Sequence, residues 1–315
     1  MDEAALPRRR DLWIHMLMYP GHTLPTALAP VLVAAGLAFH DDVFAAGPLL
    51  LALLAGWLVQ LGGVLTDNYE NLVRHPSDRE HPQLVRALRE GSITLVGLRA
   101  VILTCFGIAL AMGAYLVHLG GVAVLVIGLA SIAAAVLYSA GPSPFGTRGL
   151  ADPVFFAFFG TVSVVGAYYV QAAPALGPVA FWDFVPAALP LKAVALGLPI
   201  GALTTGILII DDIRDREFDV VKGKKTVAVR FGAQWSRAEF MALLAFAYAA
   251  PLWFVAGLGF SPWVLLPLAS LPYVVSIARA VLTLDRFEAM VPLTPQMARL
   301  LVLYAALLAF GAAQP

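Results

Sequence analysis

The 315-residue chain is 60% hydrophobic and only 13% charged, with a mean hydropathy of +0.84 and no net charge at pH 7. Because soluble domains carry roughly 25% charged residues, this composition excludes an ordinary soluble protein and favours one embedded in a bilayer. The neutral balance gives no indication of a nucleic-acid partner, and the single cysteine, Cys105, excludes an internal disulfide and a cysteine-based metal site.

Long apolar segments recur along the whole chain. A helix needs roughly 20 apolar residues to cross a membrane, and segments that do not alternate between apolar and polar residues indicate helices rather than barrel strands. The predicted spans are 23–40, 46–66, 93–117, 120–140, 151–171, 189–210, 237–257, 262–282 and 296–313. The predicted fold is therefore all-α, a polytopic membrane protein with about nine transmembrane helices.

The basic residues predict the orientation of these helices. Arg8, Arg9 and Arg10 precede the first span, and nearly all other Lys and Arg residues fall in alternate loops or close to the same helix ends. These basic loops are 67–92, 141–150, 211–236 and 283–295, whereas loop 172–188 contains no Lys or Arg. The positive-inside rule then predicts an integral membrane protein with its N-terminus cytoplasmic and its C-terminus external. We expect the membrane to be a bacterial inner membrane.

The loop after the sixth predicted span carries the densest set of charges. Asp211, Asp215 and Asp219 recur at i, i+4 and i+8, which places them on one face of a continuing helix. Carboxylates this close repel one another unless a cation lies between them, and Mg²⁺ is a hard cation that is shared between carboxylates and substrate phosphates. The basic residues that follow would contact further phosphate oxygens. The alternative is an ordinary solvated loop of mixed charge.

A second polar segment follows the second predicted span. Asp67 and Asn71 lie four residues apart on one helical face, and both offer oxygen ligands to a hard cation. The two segments hold ten of the 20 acidic residues and lie four helices apart, which indicates an internal duplication of about 20–145 and 150–290 within a single domain, 1–315. Each half would contribute one acidic patch to a central cavity that opens to the cytoplasmic side.

Four stretches of the chain also match a known pattern. They are His22-Thr23-Leu24-Pro25, Asp67-Asn68-Tyr69-Glu70-Asn71, the loop 141–152 that begins Gly-Pro-Ser-Pro-Phe-Gly, and the segment 211–232 that ends Gly-Lys-Lys-Thr-Val-Ala-Val-Arg-Phe-Gly. In this order and between these helices, the stretches resemble the UbiA superfamily of intramembrane aromatic prenyltransferases, and within it the 1,4-dihydroxy-2-naphthoate polyprenyltransferase branch. Two departures stand out: Asp67 and Asn71 exchange the family's usual Asn and Asp, and Asp211 and Asp212 replace two asparagines.

This resemblance implies a Mg²⁺-dependent transfer of a polyprenyl group from an allylic polyprenyl diphosphate to an aromatic quinone precursor within the lipid bilayer. It implies no obligate protein partner. The implied metal ligands are Asp67, Asn71, Asp78, Asp211, Asp215 and Asp219, of which Asp67, Asn71, Asp215 and Asp219 are also the implied catalytic residues. The implied diphosphate ligands are Arg74, Arg148, Lys222 and Lys224, and the implied acceptor or cavity residues are His22, Tyr69 and Tyr138.

Three other functions remain open from the sequence alone. The acceptor could be a different aromatic compound, and Asp211-Asp212-x-x-Asp215 also has the Asp-Asp-x-x-Asp form of isoprenoid cyclases. A lipid transporter is the non-enzymatic alternative, but it predicts ionisable residues deep within the spans, where this chain has almost none.

Overall fold

A computed structural model describes residues 23–75, 82–175, 182 and 191–315, and every regular element within these ranges is a helix, which confirms the all-α prediction. We number the helices in chain order. They are α1 (Thr23–His40), α2 (Ala46–Arg74), α3 (Pro82–Arg89), α4 (Leu95–Leu137), α5 (Ala151–Ala175), α6 (Leu191–Arg214), α7 (Arg216–Val221), α8 (Val227–Phe231), α9 (Ala233–Leu258), α10 (Pro262–Thr283) and α11 (Phe287–Ala312).

Seven helices within the described ranges are long and apolar enough to cross a bilayer, namely α2, α4, α5, α6, α9, α10 and α11. Helix α4 has 43 residues, and at about 1.5 Å per residue it is about twice as long as the hydrocarbon core is thick. It is interrupted at Gly121, whose φ of 65° and ψ of −153° are not helical. This break lies beside the boundary predicted between the spans 93–117 and 120–140.

Helix α6 lies at the centre of the molecule, with 89% of its most apolar stretch buried against other helices. Glycines permit this close packing. A Cβ atom on Gly201 would lie 2.3 Å from the Phe156 carbonyl oxygen, and one on Gly197 would lie 2.6 Å from the Thr161 Cα. The facing part of α5, Phe156–Val162, is a π-helix, a form that is frequent at functional sites. The backbones of α5 and α6 are therefore in direct contact.

A smaller apolar cluster supports the end of α2. Leu84 and Val85 of the short helix α3 are buried in one cluster with Leu65 and Leu72 of α2 and Leu98 of α4. Because Asp67 lies between the two α2 leucines, this packing fixes the position of the first acidic segment.

Candidate active site

A cavity of about 700 Å³ lies between α1, α2, α4, α5 and α6. Most of its wall is apolar, but one end is strongly polar. The polar end is formed by Asp67, Asn68, Tyr138, Asp211, Asp212, Arg214, Asp215, Asp219 and Lys224. The structure therefore brings the two acidic segments, which lie about 145 residues apart in the chain, to the same end of one cavity.

The second segment retains the aspartate row that its spacing predicts. Helix α6 ends at Arg214, and Asp215 adopts φ −92° and ψ 4° before α7 begins. The Asp215 N–H nevertheless donates to the Asp211 carbonyl at 2.8 Å, and the Asp219 N–H donates to the Asp215 carbonyl at 2.9 Å. All three aspartates line the cavity, with Asp215 and Asp219 buried.

Arg214 joins two of these carboxylates, a role that the sequence analysis did not assign. Its Nη1 lies 2.6 Å from Asp211 Oδ1, and its Nε and Nη2 donate to the two Asp215 oxygens at 2.6 and 2.5 Å. The Thr294 hydroxyl of α11 donates to Asp211 Oδ1 at 2.5 Å. An arginine three residues after one aspartate and beside another was a usable signal, since i, i+3 pairs are neighbours on a helix.

Lys224 is the predicted phosphate-binding lysine that lines the cavity. Its Nζ lies 3.0 Å from Asp219 Oδ1. Burial alone would lower the pKa of the Lys224 ammonium, but the negative charges of Asp67 and Asp219 outweigh that effect and raise it. Lys224 therefore stays charged and links the two acidic segments electrostatically. Lys222 is half-buried but does not line the cavity.

The loop 141–150 packs against the segment that carries Lys224. The Lys225 N–H donates to the Thr147 carbonyl at 2.8 Å, and a Cβ on Gly149 would lie 2.8 Å from the Lys225 carbonyl oxygen. Gly149 has a φ of +74°, so glycine is favoured there both by its backbone conformation and by this contact. The side chain of Arg148 is exposed and does not line the cavity.

The first segment differs from its predicted arrangement. Asp67 and Asn68 both line the cavity, whereas Asn71 does not. Asn71 Nδ2 instead donates to Asp67 Oδ2 at 3.0 Å, so Asn71 orients the Asp67 carboxylate by a hydrogen bond. Arg74 also lies away from the cavity, with its Nε 2.8 Å from Glu70 Oε2 and its Nη2 donating to the Gly141 carbonyl at 3.0 Å.

The predicted acceptor residues have different surroundings. Tyr138 lines the cavity. Gly146 packs against its ring, since a Cβ atom added at Gly146 would lie only 2.9 Å from the ring. Tyr69 packs on the cluster beneath α2, with the Arg99 guanidinium 4.9 Å from its ring centre. His22 and Asp78 lie outside the described residues.

The chemistry of the polar end suits Mg²⁺. Its donors are carboxylate and amide oxygens, which a hard cation prefers. Among the residues that the structure describes, however, no three His, Cys, Asp or Glu side chains converge closely enough to hold an ion by themselves. Three carboxylates of the second segment are instead paired with cations: Asp211 and Asp215 with Arg214, and Asp219 with Lys224. The ion would therefore need further oxygen ligands, such as substrate phosphates and water.

The sequence pattern of the UbiA prenyltransferase family matches residues 27–290 of this chain. The chain belongs to that family. This match includes both acidic segments, most of α1 and all of α2, α4, α5 and α6, and it confirms the resemblance drawn from the motifs.

Characterised relatives fit the same family branch. The chain is 33% identical to the 1,4-dihydroxy-2-naphthoate octaprenyltransferase of Escherichia coli (strain K12) over 230 residues, which cover 71% of this chain and 70% of the relative. It is 31% identical to the enzyme of the same name from Mycobacterium tuberculosis (strain ATCC 25618 / H37Rv) over 258 residues, or 79% of this chain and 80% of the relative.

Solved structures share the fold. The apo structure of a UbiA homolog from Aeropyrum pernix K1 aligns with a TM-score of 0.67 at 20% identity, covering 89% of this chain and 95% of the homolog. A UbiA homolog from Archaeoglobus fulgidus, bound to DMAPP and Mg²⁺, aligns with a TM-score of 0.59 at 18% identity, covering 93% and 98% of the two chains.

Proposed function

We propose that this UbiA family member transfers a polyprenyl group from an allylic polyprenyl diphosphate to an aromatic quinone precursor, with 1,4-dihydroxy-2-naphthoate as the favoured acceptor, in menaquinone-type quinone biosynthesis. The observation that carries the proposal is the cavity itself, which combines a long apolar wall with one acidic, cation-containing end. The apolar wall fits a prenyl tail, and the polar end fits a metal-bound diphosphate. The names of the two relatives described above support this choice of acceptor.

The acidic end would hold the diphosphate through Mg²⁺. We assign Asp67, Asp211, Asp215 and Asp219 as the carboxylate ligands and Asn68 as an additional oxygen donor, because all five line the cavity. Mg²⁺, when bound, supplies positive charge that favours departure of the diphosphate. The binding of DMAPP and Mg²⁺ by the Archaeoglobus fulgidus homolog supports this assignment. Asn71 and Asp78 stay predictions from the sequence.

The cationic side chains of the site would act on the leaving group. When the allylic C–O bond breaks, its electron pair goes to the diphosphate, and Lys224 and Arg214 are placed to stabilise the charge that develops there. The allylic carbon then forms a bond to an electron-rich ring carbon of the acceptor, and that carbon loses its proton. The apolar cavity wall excludes water, which would otherwise capture the allylic cation.

We further propose nine membrane spans, with the N-terminus and the acidic end of the cavity on the cytoplasmic side. The seven long helices become nine when α1 is included and when α4 is counted as two spans separated by Gly121. The concentration of Lys and Arg in the loops beside the acidic end supports this orientation.

The decisive test uses the purified protein, an octaprenyl diphosphate, Mg²⁺ and a panel of aromatic acceptors, with products identified by mass spectrometry. We expect a prenylated naphthoate product that disappears in excess EDTA and returns with added Mg²⁺. Full turnover in EDTA would contradict the proposed metal role. A cyclised isoprenoid formed without any acceptor would instead identify a terpene cyclase.

A further inference from the structure

Two hydrogen-bonding side chains line the apolar part of the cavity, away from its acidic end. Gln60 of α2 comes seven residues before Asp67, and Thr204 of α6 comes seven residues before Asp211. Seven residues correspond to two helical turns, or about 10 Å along each helix. The two side chains thus lie at similar depths on two walls of the same cavity.

Both side chains carry a buried polar atom that has no hydrogen-bond partner among the described residues. Gln60 Nε2 donates to the Thr26 hydroxyl, but Gln60 Oε1 forms no hydrogen bond within the part of the chain that the structure describes. The same holds for Thr204 Oγ1, whose residue is 0% exposed. Because buried polar groups are normally hydrogen-bonded, these two atoms beside one cavity can each accept a hydrogen-bonding group of a bound ligand.

The two serine hydroxyls on the cavity wall, and the hydroxyl of the residue next to Thr204, do not share this property. Ser131 donates to the Ile127 carbonyl of its own helix at 2.8 Å, and Ser163 donates to the Phe158 carbonyl at 2.6 Å. Thr205, adjacent to Thr204, donates to the Gly201 carbonyl at 2.9 Å. Thr204 and Gln60 are therefore distinguished from neighbouring polar residues by the atoms that they leave unpaired.

Of the two proposed substrates, only the aromatic acceptor can form hydrogen bonds with Gln60 Oε1 and Thr204 Oγ1. The diphosphate would stay with the carboxylates and cations at the acidic end, and the prenyl tail is a hydrocarbon that neither donates nor accepts hydrogen bonds. Building on the proposed function, we infer that Gln60 and Thr204 bind the oxygen substituents of the aromatic acceptor and so select a hydroxylated ring. A ring hydroxyl donates to Gln60 Oε1, and the Thr204 hydroxyl pairs with a second ring oxygen.

The test compares two isosteric substitutions of adjacent residues, Thr204→Val and Thr205→Val. Loss of one neutral hydrogen bond to the acceptor should raise the acceptor KM about tenfold in Thr204→Val while leaving the donor KM within about twofold. Thr205→Val, which removes a bond internal to α6, should change neither constant. Thr204→Ser retains the hydroxyl and should restore the acceptor KM, while Gln60→Leu should repeat the effect of Thr204→Val.

An acceptor analogue that lacks one ring hydroxyl provides the second measurement. The wild type should bind this analogue more weakly than the full acceptor. The variant that has lost the partner of the missing hydroxyl, either Gln60→Leu or Thr204→Val, should bind both compounds equally, and the other variant should still bind the analogue more weakly. Equal increases in the acceptor and donor KM, or the same change in Thr205→Val, would overturn the inference. Wild-type protein that forms no prenylated product with any acceptor would instead overturn the proposed function.

Discussion

At the scale of single residues, two cations partly offset the negative charge at the acidic end of the cavity. Arg214 bridges Asp211 and Asp215, and Lys224 pairs with Asp219, so three carboxylates already have positive partners. A metal ion that binds these aspartates must therefore compete with a guanidinium group for the same oxygens. We expect an Arg214 side chain displaced in this way to turn toward the diphosphate.

The substitution Arg214→Gln tests this competition. Removing the guanidinium should lower the Mg²⁺ concentration for half-maximal activity, because Asp211 and Asp215 lose a competing cation. It should also lower kcat on the order of 10²-fold, because a charge that stabilises the leaving group is lost. Activity titrated against Mg²⁺ measures both effects. A higher Mg²⁺ requirement would show that Arg214 supports the metal site and does not compete with it.

The first acidic segment gives a second comparison, between Asp67→Asn and Asn71→Ala. Asp67→Asn removes a charged ligand at the cavity and should lower kcat by about 10²–10³. Asn71→Ala removes only a hydrogen bond that orients Asp67, so we expect a loss of about tenfold or less. Steady-state rates, with thermal unfolding in detergent as a control for folding, distinguish the two. Equal losses would place Asn71 among the ligands after all.

Residue spacing predicted part of this site and missed the rest for physical reasons. The row Asp211, Asp215 and Asp219 could be predicted because helical spacing alone places its members on one face. The same spacing predicted that Asp67 and Asn71 are both metal ligands. Spacing alone, however, cannot show where the cavity wall ends. On α2 the cavity wall ends at Asn68, so Asn71 lies about one turn beyond it.

At the scale of elements, the loop 141–150 after α4 packs against the segment that carries Lys224 and is hydrogen-bonded to it. The contact depends on Gly149, which has a positive φ and leaves no room for a side chain against the Lys225 carbonyl. Gly91 provides a matched control, because its φ is +72° but nothing lies within 4 Å of the position that its Cβ would occupy. The two glycines thus share a backbone conformation, but only Gly149 has a neighbouring atom that a Cβ would meet.

We therefore expect Gly149→Ala to raise the donor KM severalfold more than Gly91→Ala does. Both substitutions impose a similar backbone strain of about 1 kcal/mol, but only the first displaces Lys224 from the cavity. The measurement is the donor KM at saturating acceptor, together with the unfolding temperature of each variant. Identical donor KM values in the two variants would show that the loop contact does not position Lys224.

The helices themselves were predictable because membrane spans require long apolar segments. The predicted break between 117 and 120 lies close to Gly121, where the structure interrupts α4. The π-helix in α5 was not predicted from the sequence; it lies where α6 approaches at Gly160, Gly197 and Gly201. Tertiary contacts, which a single sequence does not display, determine this geometry.

At the scale of the whole molecule, two sets of contacts show which loops lie at the same end of the helices. The hydrogen bond between the Lys225 N–H and the Thr147 carbonyl requires the loops 141–150 and 222–230 to lie together. At the other end of the molecule, His40 Nδ1 lies 3.2 Å from the Gln314 carbonyl oxygen, and Lys192 Nζ lies 3.5 Å from His40 Nε2. The end of α1, the start of α6 and the C-terminus therefore share the opposite side.

Reporter fusions test this arrangement together with the charge rule. Fusions after residues 80, 145, 225 and 290 should report a cytoplasmic location, because these loops carry the basic residues. Fusions near residues 120 and 180 and at the C-terminus should report an external location, which for residue 120 requires α4 to cross the membrane twice. The critical pair is 145 and 225, because their loops are hydrogen-bonded to each other. If these two fusions reported opposite sides, the hydrogen bond between the two loops could not form, and Lys224 would not be held beside loop 141–150. If both reported an external location, the cavity would remain intact, and only the proposed orientation would be wrong.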